Sequence, residues 1–136
     1  MRLHATSRVV TAISVLAGVG CSDVAIASPS RADGQCTFVL KPPKVVQNMG
    51  ATFVMATLEP GPCTLDATQN ISTVCLFIQG DNSAGQCGNA SGHIPAVVYY
   101  TYRPGAAYVV TGQGCVDILT QPHQVCQNFG PEQVTI

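Results

Sequence analysis

Beyond its first 27 residues the chain holds few of the side chains that most often do chemistry: six cysteines, two histidines and six carboxylates. The cysteines are Cys36, Cys63, Cys75, Cys87, Cys115 and Cys126. An even number in a short chain reads as a disulfide framework whose connectivity the spacing leaves open. Paired sulfurs are neither nucleophiles nor metal ligands, because both roles need the thiolate. His93 and His123 could serve as general bases or metal ligands. They stand beside Gly92 and Pro122 at no motif spacing, and so read as loop histidines. His123 and Cys126 would suit a metal pair only if Cys126 were free. Asp33, Glu59, Asp66, Asp81, Asp117 and Glu132 show no pairing of the kind glycoside hydrolysis needs across a cleft. Ser91-Gly92-His93 does not fit a nucleophile elbow, and there is no phosphate loop. The expectation is a protein that is not an enzyme, with no cofactor and no metal.

The compartment is easier to read. Arg2, His4 and Arg8 form a basic start, and residues 9–20, VVTAISVLAGVG, form an uncharged apolar stretch. That stretch is too short to span a bilayer, which takes about 20 apolar residues. Ala25-Ile26-Ala27 offers a cleavage site, so residues 1–27 read as a signal peptide and the chain as secreted. The alternative is a lipid anchor at Cys21 holding the protein to the cell envelope. Against it, Gly18 stands where a lipidation signal usually has a large aliphatic residue. A net charge of -1 gives no footprint for nucleic acid, and no other stretch could span a membrane. With 46% hydrophobic and 10% charged residues the chain does not have the composition of disorder.

The elements that must position these residues read as strands. Residues 28–35 are a polar linker, and residues 36–136 one domain. Residues 36–40 begin it as a short strand, broken at Pro42-Pro43 and resuming along an edge at 44–46. In residues 51–59 Val54, Ala56 and Leu58 share a face at the period of two, and Pro60-Gly61-Pro62 ends the strand. Residues 63–72 are mostly polar and read as a crossing between sheets. Residues 73–80 form an apolar run expected to be covered on both faces. Residues 81–92 are rich in turn formers and read as a long loop tethered at Cys87. Residues 96–102 and 107–118 read as a hairpin turned at Pro104-Gly105. Gly112 and Gly114 in its second arm point to a bulge or a close backbone approach. A loop at 119–127 precedes a last strand, 129–136. About seven short strands with turn signals between them predict an all-β, immunoglobulin-like antiparallel β-sandwich, stapled by disulfides.

Within that class the layout resembles the small actinobacterial apoproteins that carry enediyne chromophores, the neocarzinostatin type. The features that carry the likeness are the G-x-x-x-V-x-A-x-L strand at 50–58, Cys75 with Cys87, Cys115 with Cys126, and Gly130-Pro131-Glu132 before the last strand. They cover most of residues 36–136 as spacing and short words. The resemblance implies that neighbouring cysteines pair: Cys36–Cys63, Cys75–Cys87 and Cys115–Cys126. The first pair has no counterpart in that plan. Two antibody hallmarks are missing as well, since there is no tryptophan and no Tyr-x-Cys.

The functional expectation is a binding domain whose ligand is a protein, an envelope component or, by the resemblance, a small apolar molecule. The candidate contact residues are Asp81, Asn82 and His93 with His123 on loops, and Tyr100 and Tyr102 in the tyrosine-rich hairpin. Those two tyrosines read more readily as core and sheet composition than as a contact surface. An alternative is an inhibitor of extracellular hydrolases that presents residues 81–92 as a disulfide-tethered loop. Asn70-Ile71-Ser72 and Asn89-Ala90-Ser91 match the glycosylation acceptor in segments that read as loops, and both read as chance matches.

Overall fold

The structure, a computed structural model, describes residues 35–136. The expected signal peptide and all but the last residue of the expected linker lie outside the described residues. Seven strands follow: β1 (Cys36–Asn48), β2 (Ala51–Cys63), β3 (Ala67–Ile78), β4 (Gln86–Ser91), β5 (Ala96–Thr101), β6 (Ala107–Ile118) and β7 (Gln124–Thr135). They form two antiparallel sheets, ordered β1-β2-β5 and β4-β3-β6-β7.

Alternation builds the core. Val54, Ala56 and Leu58 of β2 face Val74, Leu76 and Ile78 of β3 and Tyr108, Val110 and Val116 of β6, all buried. Val98 of β5 joins them, with Tyr100 and Tyr102 packed at the margin. The apolar run of β3 therefore has one core face rather than two. Thr73, Cys75 and Phe77 are half-buried on its outer side. Gly112 and Gly114 do mark a close approach. A Cβ on Gly114 would lie 2.6 Å from the ring carbons of Phe38, so the ring packs flat on bare backbone there.

Several expected boundaries move. Pro42-Pro43 does not break β1, because a bulge between Lys41 and Lys44 absorbs the prolines on an edge strand. Pro60-Gly61-Pro62 does not end β2 either. Beyond Leu58 that strand has a neighbour only on the β1 side, so missing proline donors there leave no β5 bond unmade. The crossing shrinks to residues 64–66. The expected loop at 81–92 is a loop only to Gly85, and its second half is the edge strand β4. Likewise β7 begins at Gln124, well before the expected strand at 129.

The expected hairpin is not one. β5 pairs with β2, and β6 pairs with β3 and β7, so residues 102–106 carry the chain from one sheet to the other. Gly105, at φ +74, supplies the left-handed turn. Tyr108, fully buried, secures the crossing. Its hydroxyl donates to the Thr101 carbonyl at 2.7 Å and accepts from the Arg103 N–H at 2.7 Å. That is the bonding of a tyrosine corner, made here without the Tyr-x-Cys spacing.

Candidate functional site

The six cysteines form three bridges, Cys36–Cys63, Cys75–Cys87 and Cys115–Cys126. Each joins residues directly opposite on neighbouring antiparallel strands, β1 to β2, β3 to β4 and β6 to β7. No bridge ties one sheet to the other. Cys36 is buried in the core and Cys63 packs against it. The other two bridges lie on the outer side of the four-stranded sheet, since Cys75 alternates with core residues Val74 and Leu76, and Cys115 with Gly114 and core residue Val116.

The six candidate contact residues do not converge. Asp81 and Asn82 lie in the β3–β4 loop, at the same end as Tyr100, Tyr102 and the crossing at 102–106. There the loop is held in place. The Arg103 guanidinium meets the Asp81 carboxylate at 3.0 Å, and the Ser83 and Tyr100 hydroxyls are 2.7 Å apart. His93 and His123 lie at the opposite end, in the β4–β5 and β6–β7 connections, both exposed. His123, at φ +67, has its ring beside the Gln121 amide. A surface combining residues 81–92 with both histidine loops is therefore not assembled. Two separate loop ends exist in its place.

Two spaces that could take a ligand lie on the sheets' outer faces. On the four-stranded sheet a trough of about 380 Å³ is lined by Thr73, Cys75, Thr111, Gln113, Asn128 and Phe129, with Gly112 and Gly130 beneath. It owes its shape to the β6–β7 register shift between Val110 and Gly112, where β7 carries one extra residue beside Gly130. Its polar rim is pre-set, with the Gln113 amide donating to the Asn128 side-chain oxygen at 3.0 Å. The sulfur of Cys75 stiffens one wall. On the three-stranded sheet a second trough, of about 430 Å³, follows the β1 bulge between Lys41, Lys44, Met55 and Glu59. Its rim is an ion pair, Lys41 to Glu59 at 3.3 Å, half exposed on both sides.

None of the trough residues is among the six candidate contact residues. Alternation alone places Thr73 and Thr111 on outer faces. What brings them side by side with Asn128 is the pairing of β3 with β6 and of β6 with β7, which no single strand announces. The acceptor motifs are also displaced, onto β3 and β4. Asn70 donates to both Asp117 carboxylate oxygens, at 2.9 and 3.0 Å, and Ser72 is fully buried, whereas Asn89 and Ser91 are exposed. Among the described residues no three of His, Cys, Asp and Glu stand together as a metal site would need. No described helix is long and apolar enough to cross a membrane. No family model, no curated protein and no solved structure matches the chain.

Proposed function

We propose that the chain is an exported, non-enzymatic binding domain of immunoglobulin-like plan, secreted or held to the envelope through Cys21. Its ligand is a small, partly apolar molecule laid on the outer face of the four-stranded sheet. One observation carries this reading: the trough over Gly112 combines an apolar floor with four convergent polar side chains, Thr73, Thr111, Gln113 and Asn128. Small-molecule sites pair a mostly apolar lining with a few placed polar groups in this way. The two bridges on that face restrain the strands beneath it, which limits the ordering cost of binding. Three disulfides fit an oxidising compartment, and the tyrosine corner supports the immunoglobulin-like plan. The resemblance to chromophore-carrying apoproteins points the same way.

The test is an amide chemical-shift titration with 1-anilinonaphthalene-8-sulfonate. Shifts should concentrate at Thr73, Thr111, Gln113 and Asn128, and Thr111→Phe, which fills the trough, should remove them. Shifts elsewhere, or none, would sink the reading. A second reading, a hydrolase inhibitor, is favoured by the pinned loop at 79–85. It would be abandoned if a protease panel showed no inhibition at micromolar protein and left that loop uncut.

A further inference from the structure

The end of the sandwich where the chain enters is unlike the rest of its surface. Three aliphatic side chains stand out there on three separate connections: Leu65 at 108% relative exposure, Leu119 at 81% and Ile94 at 66%. Exposed apolar residues on the sheet faces reach at most 48%, at Val39, and among the described residues the opposite end has the single Met49, at 101%. The connections are stitched to the sheet by backbone bonds. Leu119 N–H donates to Asp66 O at 3.3 Å, Gly92 N–H to Asn70 O at 2.8 Å and Ile94 N–H to Ser91 O at 3.4 Å. Exposed apolar residues scattered singly are ordinary, but three in neighbouring connections at one end are the arrangement that marks an interaction surface.

Two further observations say what covers them. First, the chain enters the domain at this end. Gln35 O accepts from Thr64 N–H at 2.8 Å, and Gln35 N–H donates to the Thr64 hydroxyl at 3.0 Å, one residue from Leu65. The apolar stretch 9–20 and Cys21 lie upstream of that point. Were Cys21 lipidated, residues 22–34 could reach at most about 45 Å. Second, among the described residues this end carries no lysine or arginine, only the exposed His93 and His123. The described cations are Lys41 and Lys44, midway along β1, and Arg103, at the far end. The local carboxylates are engaged, Asp66 by the Thr64 hydroxyl and Asp117 by Asn70. No described lysine or arginine is here to draw in an anionic surface, whereas three exposed aliphatic side chains suit an uncharged apolar boundary.

We propose that this end rests on a lipid bilayer of zwitterionic headgroups, with Leu65, Ile94 and Leu119 entering the boundary between headgroups and acyl chains. The trough on the four-stranded sheet stays in water beside it, so this surface is separate from the proposed ligand site. The chain contains no tryptophan, which makes the test direct. In full-length protein, Leu119→Trp should give emission that moves to the blue on adding phosphatidylcholine vesicles and is quenched by brominated lipid. Adding Leu65→Ser and Ile94→Ser to that variant should weaken partitioning at least about tenfold. Circular dichroism should be unchanged, because exposed side chains hold no packing.

No blue shift from a folded protein would overturn the proposal. So would an equal shift in the serine variant, since the N-terminal stretch would then be doing the binding. A blue shift that follows protein concentration without vesicles would overturn it too, in favour of a second copy of the chain.

Discussion

The two sheets use their disulfides in opposite ways. In the three-stranded sheet the Cys36–Cys63 bridge turns inward, with Cys36 at 3% exposure among core residues. In the four-stranded sheet both bridges turn outward: Cys87 and Cys126 are exposed, and Cys115, though only 5% exposed, lies outside the core cluster. The inward bridge is part of the packing. The outward bridges restrain strands without filling the core, and they sit on the face that carries the polar trough. The outer face of the three-stranded sheet is different again. There Phe53 and Tyr99 meet edge to face at 6.3 Å, with Val97 beside them and an ion pair at the rim.

Removing bridges is the strongest way to break that contrast. Cys36→Ala with Cys63→Ala opens a loop of separation 27. Loop entropy alone predicts a loss of about 3.5 kcal/mol. The buried sulfurs leave a void that adds to it. Cys115→Ala with Cys126→Ala opens a separation of 11, for which the same relation gives about 2.8 kcal/mol, with a void only at the buried Cys115, outside the core cluster. Urea midpoints of the two double variants would measure the difference. Equal losses, or a larger one for the outward pair, would mean that facing inward adds nothing.

The faces of the same strand offer a finer cut. Gly114→Ala on the inner side of β6 pushes a Cβ to 2.6 Å from the Phe38 ring, and overpacking of this kind costs about 1–3 kcal/mol. Thr111→Val on the outer side, in the trough, should change stability by less than about 0.5 kcal/mol. Thermal midpoints would show this. Adding Phe38→Leu to Gly114→Ala should recover part of the loss, because the shorter side chain gives way to the new methyl.

This inner-outer distinction was partly legible in the residues themselves. Alternation placed Val54, Ala56 and Leu58 on one face, and Gly112 and Gly114 announced a close approach that Leu40, Leu58 and Phe38 fill. What alternation cannot show is which strand lies beside which. Residues 96–118 look like a hairpin because Pro-Gly is a good local turn, yet Tyr108 uses that turn to change sheets. Residues 86–91 look like loop because an edge strand with exposed side chains needs no apolar residues, and Asn, Gly and Ser there serve equally well. The trough was unreadable for the same reason. Thr73, Thr111 and Asn128 come from three strands, and only the register brings them together.

A last effect, small and opposite in sign, concerns two neighbours on β3, one facing each way. Thr73 looks into the trough. Ser72 looks inward, fully buried, and its hydroxyl has no hydrogen-bond partner in the structure. A buried hydroxyl without a partner has lost its water and gained nothing in exchange. Ser72→Ala should therefore be neutral or stabilise the fold by up to about 1 kcal/mol. Ser83→Ala, which removes the bond to Tyr100 at the loop end, should cost about 0.5 kcal/mol. The signs, read from urea midpoints, decide the matter. A clear loss for Ser72→Ala would show that its hydroxyl is bonded after all, through an internal water, and β3 would then hold a second buried polar contact beside the one from the Gln69 amide to the Gly61 carbonyl.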